Sequence, residues 1–521
     1  MQDRRTMDGP ASHLPPAATA HGSNAASTLE PEALLRAGRP QLALEAMARL
    51  PQTSVEASPT LLCMRGQAQL DLGHAGAAVD DFSAAERLAP DDHRAALGLA
   101  MALGESGRPD EAVAAARRAI SLGNDGIIAR YVLGRGLLDA GAQEEAQQTW
   151  ASLLESHPTH GPTLESLSGL LWMRHGDVAA ARQPLERAMQ LAPGQPAIVI
   201  QLAQLLDSAG ESTQAMQTLE SALARMPGHP DLHAAAARVA LPHDANRALD
   251  HARLAVQASR GRRSAVATYA DALLAAGRVA DAAEVAARLH QADPGDSHAL
   301  ALLSSTGRLL GDPGHYALVD YARRVSAEPI GVPDGWSDLT HYLDDLGREL
   351  AALHRWQAHP LDQSLLGGSQ IALRPAQASG PALRAFPQTI DGPIRRHLAR
   401  LAGIPDPTGR VATTGYRFSG MWSVRLRPGG HHRNHFHGQG WISSACYIQL
   451  PSGMDAPGGE GWLGFGQPGV PTSPALAHEY LVRPQPGLLV LFPSWMWHGT
   501  LPFRGEPKDS RLTIAFDLLP S

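Results

Sequence analysis

The sequence predicts a two-part α + β protein, a long helical solenoid followed by a β domain with flanking helices. Three observations carry this. Glycines and prolines recur on a 34-residue clock through the first 300 residues. Aromatic residues crowd into the last part, with seven of nine Trp after residue 330 and seven of eight Phe after residue 380. From about residue 410, short apolar runs alternate with Gly and Pro, which punctuate strands.

The solenoid is read from its period. Gly73, Gly107 and Gly141 are 34 residues apart, Gly176 follows after 35, Gly210 after 34 and Gly277 after 67. Pro90, Pro158, Pro193, Pro227 and Pro294 keep the same time. In the unit over residues 59–92, small residues (Gly66, Ala78, Ala85) allow close helix packing, Phe82 fills the gap and Pro90 ends the second helix. Ala100, Ala112 and Ala119 repeat this, as do Gly134 and Ala146, then Gly169, Ala181 and Ala188, then Ala203, Ala215 and Ala222. This is the tetratricopeptide pattern of paired antiparallel helices. The array is expected over residues 29–328, with a degenerate unit at 230–262 where Asp244 replaces the turn glycine. Such a superhelix offers a concave face to extended peptides or protein segments. Dimerisation or scaffolding alone is the alternative.

Composition narrows the chemistry. The 521 residues hold 43 Arg and a single Lys, Lys508, with a formal charge of −7. No GxxxxGK phosphate loop is possible, and lysine-centred chemistry is nearly excluded. No net field draws the chain to nucleic acid or acidic membranes. Cys63 and Cys446 are too few for a disulfide framework or a Cys-rich zinc site, and no apolar run reaches membrane-spanning length. Residues 1–28 carry charges and prolines where a secretory peptide needs an apolar stretch, so a disordered tail on a cytoplasmic protein is expected.

A Pro- and Gly-dense boundary follows at residues 326–335, opening a second domain over 329–521. Residues 337–357 and 391–403 read as helices, and 411–418, 421–427, 441–450, 461–465, 487–492 and 511–518 as strands, which suggests a sandwich or jelly roll.

Four of 24 histidines fall in the window His431-His-Arg-Asn-His435-Phe-His437. In an extended segment His435 and His437 address one point. His498 follows the apolar strand ending at Pro493, and Arg511 opens another strand thirteen residues later. An early ligand pair, a distant histidine and a later arginine suit a mononuclear iron site with an open face. The arginine fork suits a dicarboxylate such as 2-oxoglutarate. Each piece alone has a plainer explanation: HxH pairs occur on surfaces and in zinc sites, His498 could be a packed core residue, and Arg511 could pair with Asp509 or Asp517.

The segments HPLDQSLLGGSQ (359–370), MWSVRLRPGGHHRNHFHGQGWISSACYIQLP (421–451), LVLFPSWMWHGTLPF and RLTIAFDLLP carry a resemblance. They resemble the 2-oxoglutarate/Fe(II) oxygenase domain found behind tetratricopeptide arrays in bacteria, and are distantly similar to aspartyl/asparaginyl hydroxylases. The resemblance covers about residues 330–521. It implies a double-stranded β-helix (jelly roll), Fe(II), 2-oxoglutarate and O2, and hydroxylation, by default, of a protein or peptide side chain delivered by the repeats. By position, His435 and His498 take the two histidine-ligand places and Arg511 the 2-oxoglutarate place. Ser423 and Ser444 are candidate hydroxyl donors to the cosubstrate. His437 stands where that family has Asp or Glu, either as a third imidazole ligand or as a group behind the ligands. No catalytic residue beyond the metal site is expected. Two alternatives stay open: a repeat scaffold with an inert or zinc-holding jelly roll, and a cupin-like three-histidine dioxygenase that uses no 2-oxoglutarate.

Overall fold

The computed structural model describes residues 25–361, 363–404, 407–410, 415–451, 454 and 458–521. Most of the tail expected at 1–28 lies outside the described residues, and the first described helix is Ala25–Arg36. The chain forms two compact units, one ending at Leu170 and the other running from Leu171 to Ser521.

The first unit is made of helix pairs at the predicted period: Pro59–Asp71 with Ala75–Leu88, His93–Glu105 with Pro109–Ser121, and Ile127–Asp139 with Gln143–Ser156. Phe82 is fully buried between Gly66 and Gly98, and a Cβ at Gly66 would stand 2.8 Å from its ring. Trp150 fills the equivalent space against Gly134. The clock glycines turn the chain between helices at positive φ, 79° at both Gly73 and Gly107, where an L side chain is strained.

The second unit continues the pairs with Pro196–Ser208 and Ser212–Leu223, Pro230–Ala240 and Ala245–Ala258, and Arg263–Ala275 and Val279–Ala292, then Ser297–Leu310. The degenerate repeat folds like its neighbours. Asp244, at φ −147°, caps the helix Ala245–Ala258 by accepting from the Arg247 amide at 3.0 Å. A side-chain cap here replaces a left-handed glycine.

Among the described residues, the rest of this unit holds nine antiparallel strands: β1 (Ser326–Pro329), β2 (Leu365–Ala372), β3 (Tyr416–His432), β4 (Ile442–Gln449), β5 (Leu463–Phe465), β6 (Tyr480–Val482), β7 (Leu488–Pro493), β8 (His498–Thr500) and β9 (Arg511–Pro520). Six form a sheet in the order β1-β7-β4-β9-β3-β2, and three a smaller sheet, β6-β5-β8. The helices Leu339–Leu353 and Pro381–Leu401 cover one face of the large sheet, packing Leu346, Phe386 and Ile394 against Leu512, Ile514, Phe516 and Leu518. On the other face Tyr447, Val490 and Phe492 pack with Leu463, Phe465 and Val482 of the small sheet.

Several elements depart from expectation. The proline-dense boundary contains β1, which survives because it is an edge strand, where Pro329 breaks no internal ladder. The second helix starts at Pro381, ten residues before the predicted start. Pro387 and Pro393 lie inside it, and the burial of Phe386, Ile390, Ile394 and Leu398 outweighs the lost hydrogen bonds. Strands β2, β6 and β8 are additional, and the expected strands at 411–418 and 421–427 are one, β3, with a register shift at Phe418/Gly420 and residues 411–414 outside the described part.

Candidate metal centre

Strand pairing brings the distant histidines together. The His435 amide donates to the His498 carbonyl at 2.8 Å and the His498 amide returns the bond at 2.9 Å. The His437 amide donates to the Ser494 carbonyl at 2.8 Å. The HxH segment is thereby tied to the turn and strand that follow Pro493. Ring nitrogens of His435, His437 and His498 all lie within 4.8 Å of one another. Gly440 packs against Ser494 and Asp517, so any side chain there would wedge into the site's support.

Each imidazole is fixed through Nδ1. His435 Nδ1 lies 2.8 Å from the Arg433 carbonyl and His498 Nδ1 2.9 Å from the Met496 carbonyl. His437 Nδ1 lies 2.7 and 2.8 Å from the two Asp517 oxygens. All these partners are acceptors, so Nδ1 carries the proton in each ring and Nε2 presents a lone pair. The Nε2 atoms of His435 and His437 stand 3.2 Å apart. Two lone pairs at that distance repel unless a shared proton or a metal cation lies between them. Metal–nitrogen bonds of about 2.0–2.1 Å put neighbouring ligand atoms roughly 3 Å apart, which this pair matches.

The surroundings oppose the charged forms of His435 and His498 and favour the charged form of Asp517. Burial and the neighbouring His437 push the His498 pKa down to about 3. Burial, with His498 and His437 beside it, holds His435 well below the usual histidine range. Burial alone would raise the Asp517 carboxyl, but His437 and the Ser443 hydroxyl beside it hold it below the ordinary carboxylate range. Ser443 Oγ donates to Asp517 at 2.7 Å and stands 2.8 Å from Ser494 Oγ. The carboxylate missing from the HxH motif is therefore present one bond further out, behind His437. Neither Asp517 nor Asp509 pairs with Arg511: Asp509 accepts from the Glu506 amide.

Arg511 is 2 % exposed at the start of β9, with its guanidinium over the Tyr447 ring at 4.9 Å. Arg511 Nε and Tyr447 Oη are both buried, with no hydrogen-bond partner outside this pair. Among the described residues no carboxylate pairs with Arg511. A buried cation left this way is costly unless an anion joins it. The donor set thus fits the carboxylate of a small anionic ligand, and the three Nε2 atoms fit a divalent metal.

Ser423 and Ser444 are placed elsewhere. By the two-residue alternation of the strands they face the helix-backed side of the large sheet. Ser423 Oγ lies 3.0 Å from His354 Nε2 and donates to the Thr513 carbonyl, while Ser444 Oγ both accepts from the Phe516 amide and donates to its carbonyl. Their hydroxyls serve the sheet. Sequence reasoning missed Asp517 and Ser443 as supports, and also Ser364, whose Oγ lies 2.9 Å from His432 Nδ1 and 3.2 Å from His435 Nε2. Asn434 Oδ1 is 3.1 Å from His478 Nε2.

A family model described as "Putative 2OG-Fe(II) oxygenase" matches residues 420–517. Tetratricopeptide repeat models match residues 63–127, 131–196 and 173–239. The chain thus carries tetratricopeptide repeats followed by an oxygenase-type domain at its C-terminal end. Among solved structures, it is similar to a thermophilic TPR protein of Thermus thermophilus, with 24% identity over 35% of this chain and 99% of that one, at a TM-score of 0.27. It is also similar to a tetratricopeptide repeat protein of Parabacteroides merdae, with 18% identity, 48% and 98% covered, at a TM-score of 0.34. No curated protein matches the chain.

Proposed function

We propose that the chain is a 2-oxoglutarate- and Fe(II)-dependent oxygenase that hydroxylates a protein or peptide side chain presented by the repeat array. The observation that carries this reading is the pair of Nε2 atoms 3.2 Å apart, with His498 completing the group, together with a buried arginine that no carboxylate among the described residues pairs. His435, His437 and His498 would hold the metal. Arg511 and the Tyr447 hydroxyl would bind the cosubstrate carboxylate farthest from the metal, a charge-assisted contact of the strong class. With metal and cosubstrate bound, the site supplies the oxidative decarboxylation that turns 2-oxoglutarate, O2 and R–H into succinate, CO2 and R–OH.

The residues' own contributions are orientation and charge. Asp517 keeps the His437 proton on Nδ1, so Nε2 stays available, and it places one negative charge just behind a neutral ligand set. Three imidazoles plus this carboxylate have the net charge of two imidazoles and a ligating carboxylate. The buried walls formed by Phe492 and Phe465 beside His498 exclude water from that side. The repeats support a protein or peptide as substrate, since a concave solenoid face binds extended chains. Among the described residues no helix is long and apolar enough to cross a membrane.

The test is anaerobic addition of Fe(II) and 2-oxoglutarate to the full chain, watching for a metal-to-ligand charge-transfer band, then succinate on admitting air. Both are expected in the wild type and absent in His498→Ala. A metal-loaded protein with no band and no succinate would sink the oxygenase reading in favour of a zinc-holding scaffold. Turnover of O2 without any 2-oxoglutarate requirement would favour the three-histidine dioxygenase instead.

A further inference from the structure

The residues flanking the metal-site histidines do not end in the β domain's own core. Phe436 stands between His435 and His437 and points away from them, buried at 5 % exposure. It clusters with Trp497, the residue before His498, and with Ala301 of the repeat helix Ser297–Leu310. The two aromatic rings meet edge to face with centroids 4.9 Å apart. Phe436 also packs on the His298 ring at 5.0 Å. His298 Nε2 in turn lies 2.8 Å from Asp271 Oδ1, on the preceding repeat's helix Arg263–Ala275.

Polar contacts run alongside. Trp497 Nε1 donates to the Ala301 carbonyl at 2.9 Å. The Trp497 carbonyl accepts from the Gly466 amide at 3.0 Å, and Arg308 Nη1, two turns further along the same helix, donates to the Gly466 carbonyl at 3.2 Å and the Ala477 carbonyl at 2.7 Å. Arg308 Nε also reaches Glu479 at 3.2 Å, the carboxylate that holds His315 Nε2 and accepts from the Tyr321 hydroxyl. A single repeat helix therefore braces both stretches of chain that carry the histidines.

Resting on the reading of those histidines as metal ligands, we propose that the repeat helix Ser297–Leu310 is a positioning element of the metal centre, acting through Phe436 and Trp497. Metal affinity depends on ligand placement to within about 0.5 Å, and that placement is set by groups behind the ligands. The rings of His435, His437 and His498 are held at Nδ1, but the backbone from which they project is registered by Phe436 on His298 and by Trp497 on Ala301. The last repeats are thus part of the site's framework, and a change in their packing is felt at the three Nε2 atoms.

The experiment is a Co(II) titration of the full chain, reading affinity and the visible d–d spectrum, beside thermal unfolding of the metal-free protein. Trp497→Phe keeps the ring and removes the bond to Ala301; Phe436→Leu keeps an apolar side chain and loses contact with His298. Both are expected to weaken Co(II) binding by about tenfold and to alter the spectrum, in the range seen when groups behind a metal ligand are changed. Leu103→Ala, a core truncation in the first unit and outside this cluster, should lower the unfolding temperature and leave Co(II) affinity unchanged. Wild-type affinity and spectrum in folded Trp497→Phe, with only a lowered unfolding temperature, would overturn the proposal. If the wild-type chain takes up no Co(II), the ligand assignment itself falls and the proposal with it; His498→Ala separates that case by showing the signal of a chain with a broken site.

Discussion

Strand β9 presents two chemistries on alternate residues. Leu512, Ile514, Phe516 and Leu518 face the two covering helices, all at 1 % exposure or less. Arg511, Thr513 and Asp517 take the intervening positions on the other face, with Arg511 over the Tyr447 ring and Asp517 behind His437. The apolar side is held by volume and close packing, so its residues act collectively. Each residue of the polar side has its own partner, or lacks one. A one-residue slip of β9 would exchange the faces and destroy core and site together. The apolar face therefore does more than stabilise: it sets the register that delivers Asp517 to His437.

The largest effect should come from the apolar face. Phe516→Ala removes a fully buried ring and is expected to destabilise the fold by about 3–5 kcal/mol. Chemical denaturation of the metal-free chain measures it. A loss below about 1 kcal/mol would show that the covering helices do not fix the strand.

Arg511 should move the other way. Replacing a buried cation that no carboxylate among the described residues pairs by Met is expected to raise the stability of the ligand-free chain, by about 1–4 kcal/mol, while abolishing 2-oxoglutarate binding. The same denaturation curve, repeated with and without 2-oxoglutarate, reads both. A destabilised Arg511→Met chain that still binds the cosubstrate would remove Arg511 from the site.

Asp517→Asn keeps the shape but weakens the hold on the His437 proton. Metal affinity should fall by about 10–100-fold, with little change in the fold of the metal-free chain. Metal binding followed by calorimetry tests this, and an unchanged affinity would mean that the carboxylate behind His437 does not tune the ligand.

These contrasts also explain which parts of the molecule were legible in its sequence. The repeats were, because Gly66, Phe82 and Pro90 fall within one 34-residue unit and recur. Asp244 was flagged as a departure, but only the hydrogen bond to Arg247 shows that a cap replaces the glycine. His435, His437 and His498 stood out through their own short motifs. Asp517 did not, because its role depends on β9 pairing with β3 and β4, which brings together residues 80 positions apart, as His437 and Asp517 are. Ser423 and Ser444 lie near the motif in sequence, and nearness along a strand does not fix the face. Strand β1 was hidden by its prolines and is defined by its partner β7.

Ser443 and Ser444 give the smallest and cleanest form of the comparison, since they are adjacent, chemically identical and on opposite faces. Ser444→Ala strips the buried Phe516 amide of its acceptor and should cost about 1–3 kcal/mol of stability, with metal affinity unchanged. Ser443→Ala removes one donor to Asp517, which still has the His437 Nδ1–H. Its effect should appear in metal binding, as a loss smaller than that of Asp517→Asn and so under about tenfold. Stability should change less than in Ser444→Ala, because the group left behind is a carboxylate with another partner and not an orphaned amide. Paired titrations and unfolding curves on the two variants decide the matter. If Ser444→Ala weakened metal binding as much as Ser443→Ala, the two faces of the sheet would not be separable, and the division of labour read from β9 would fail.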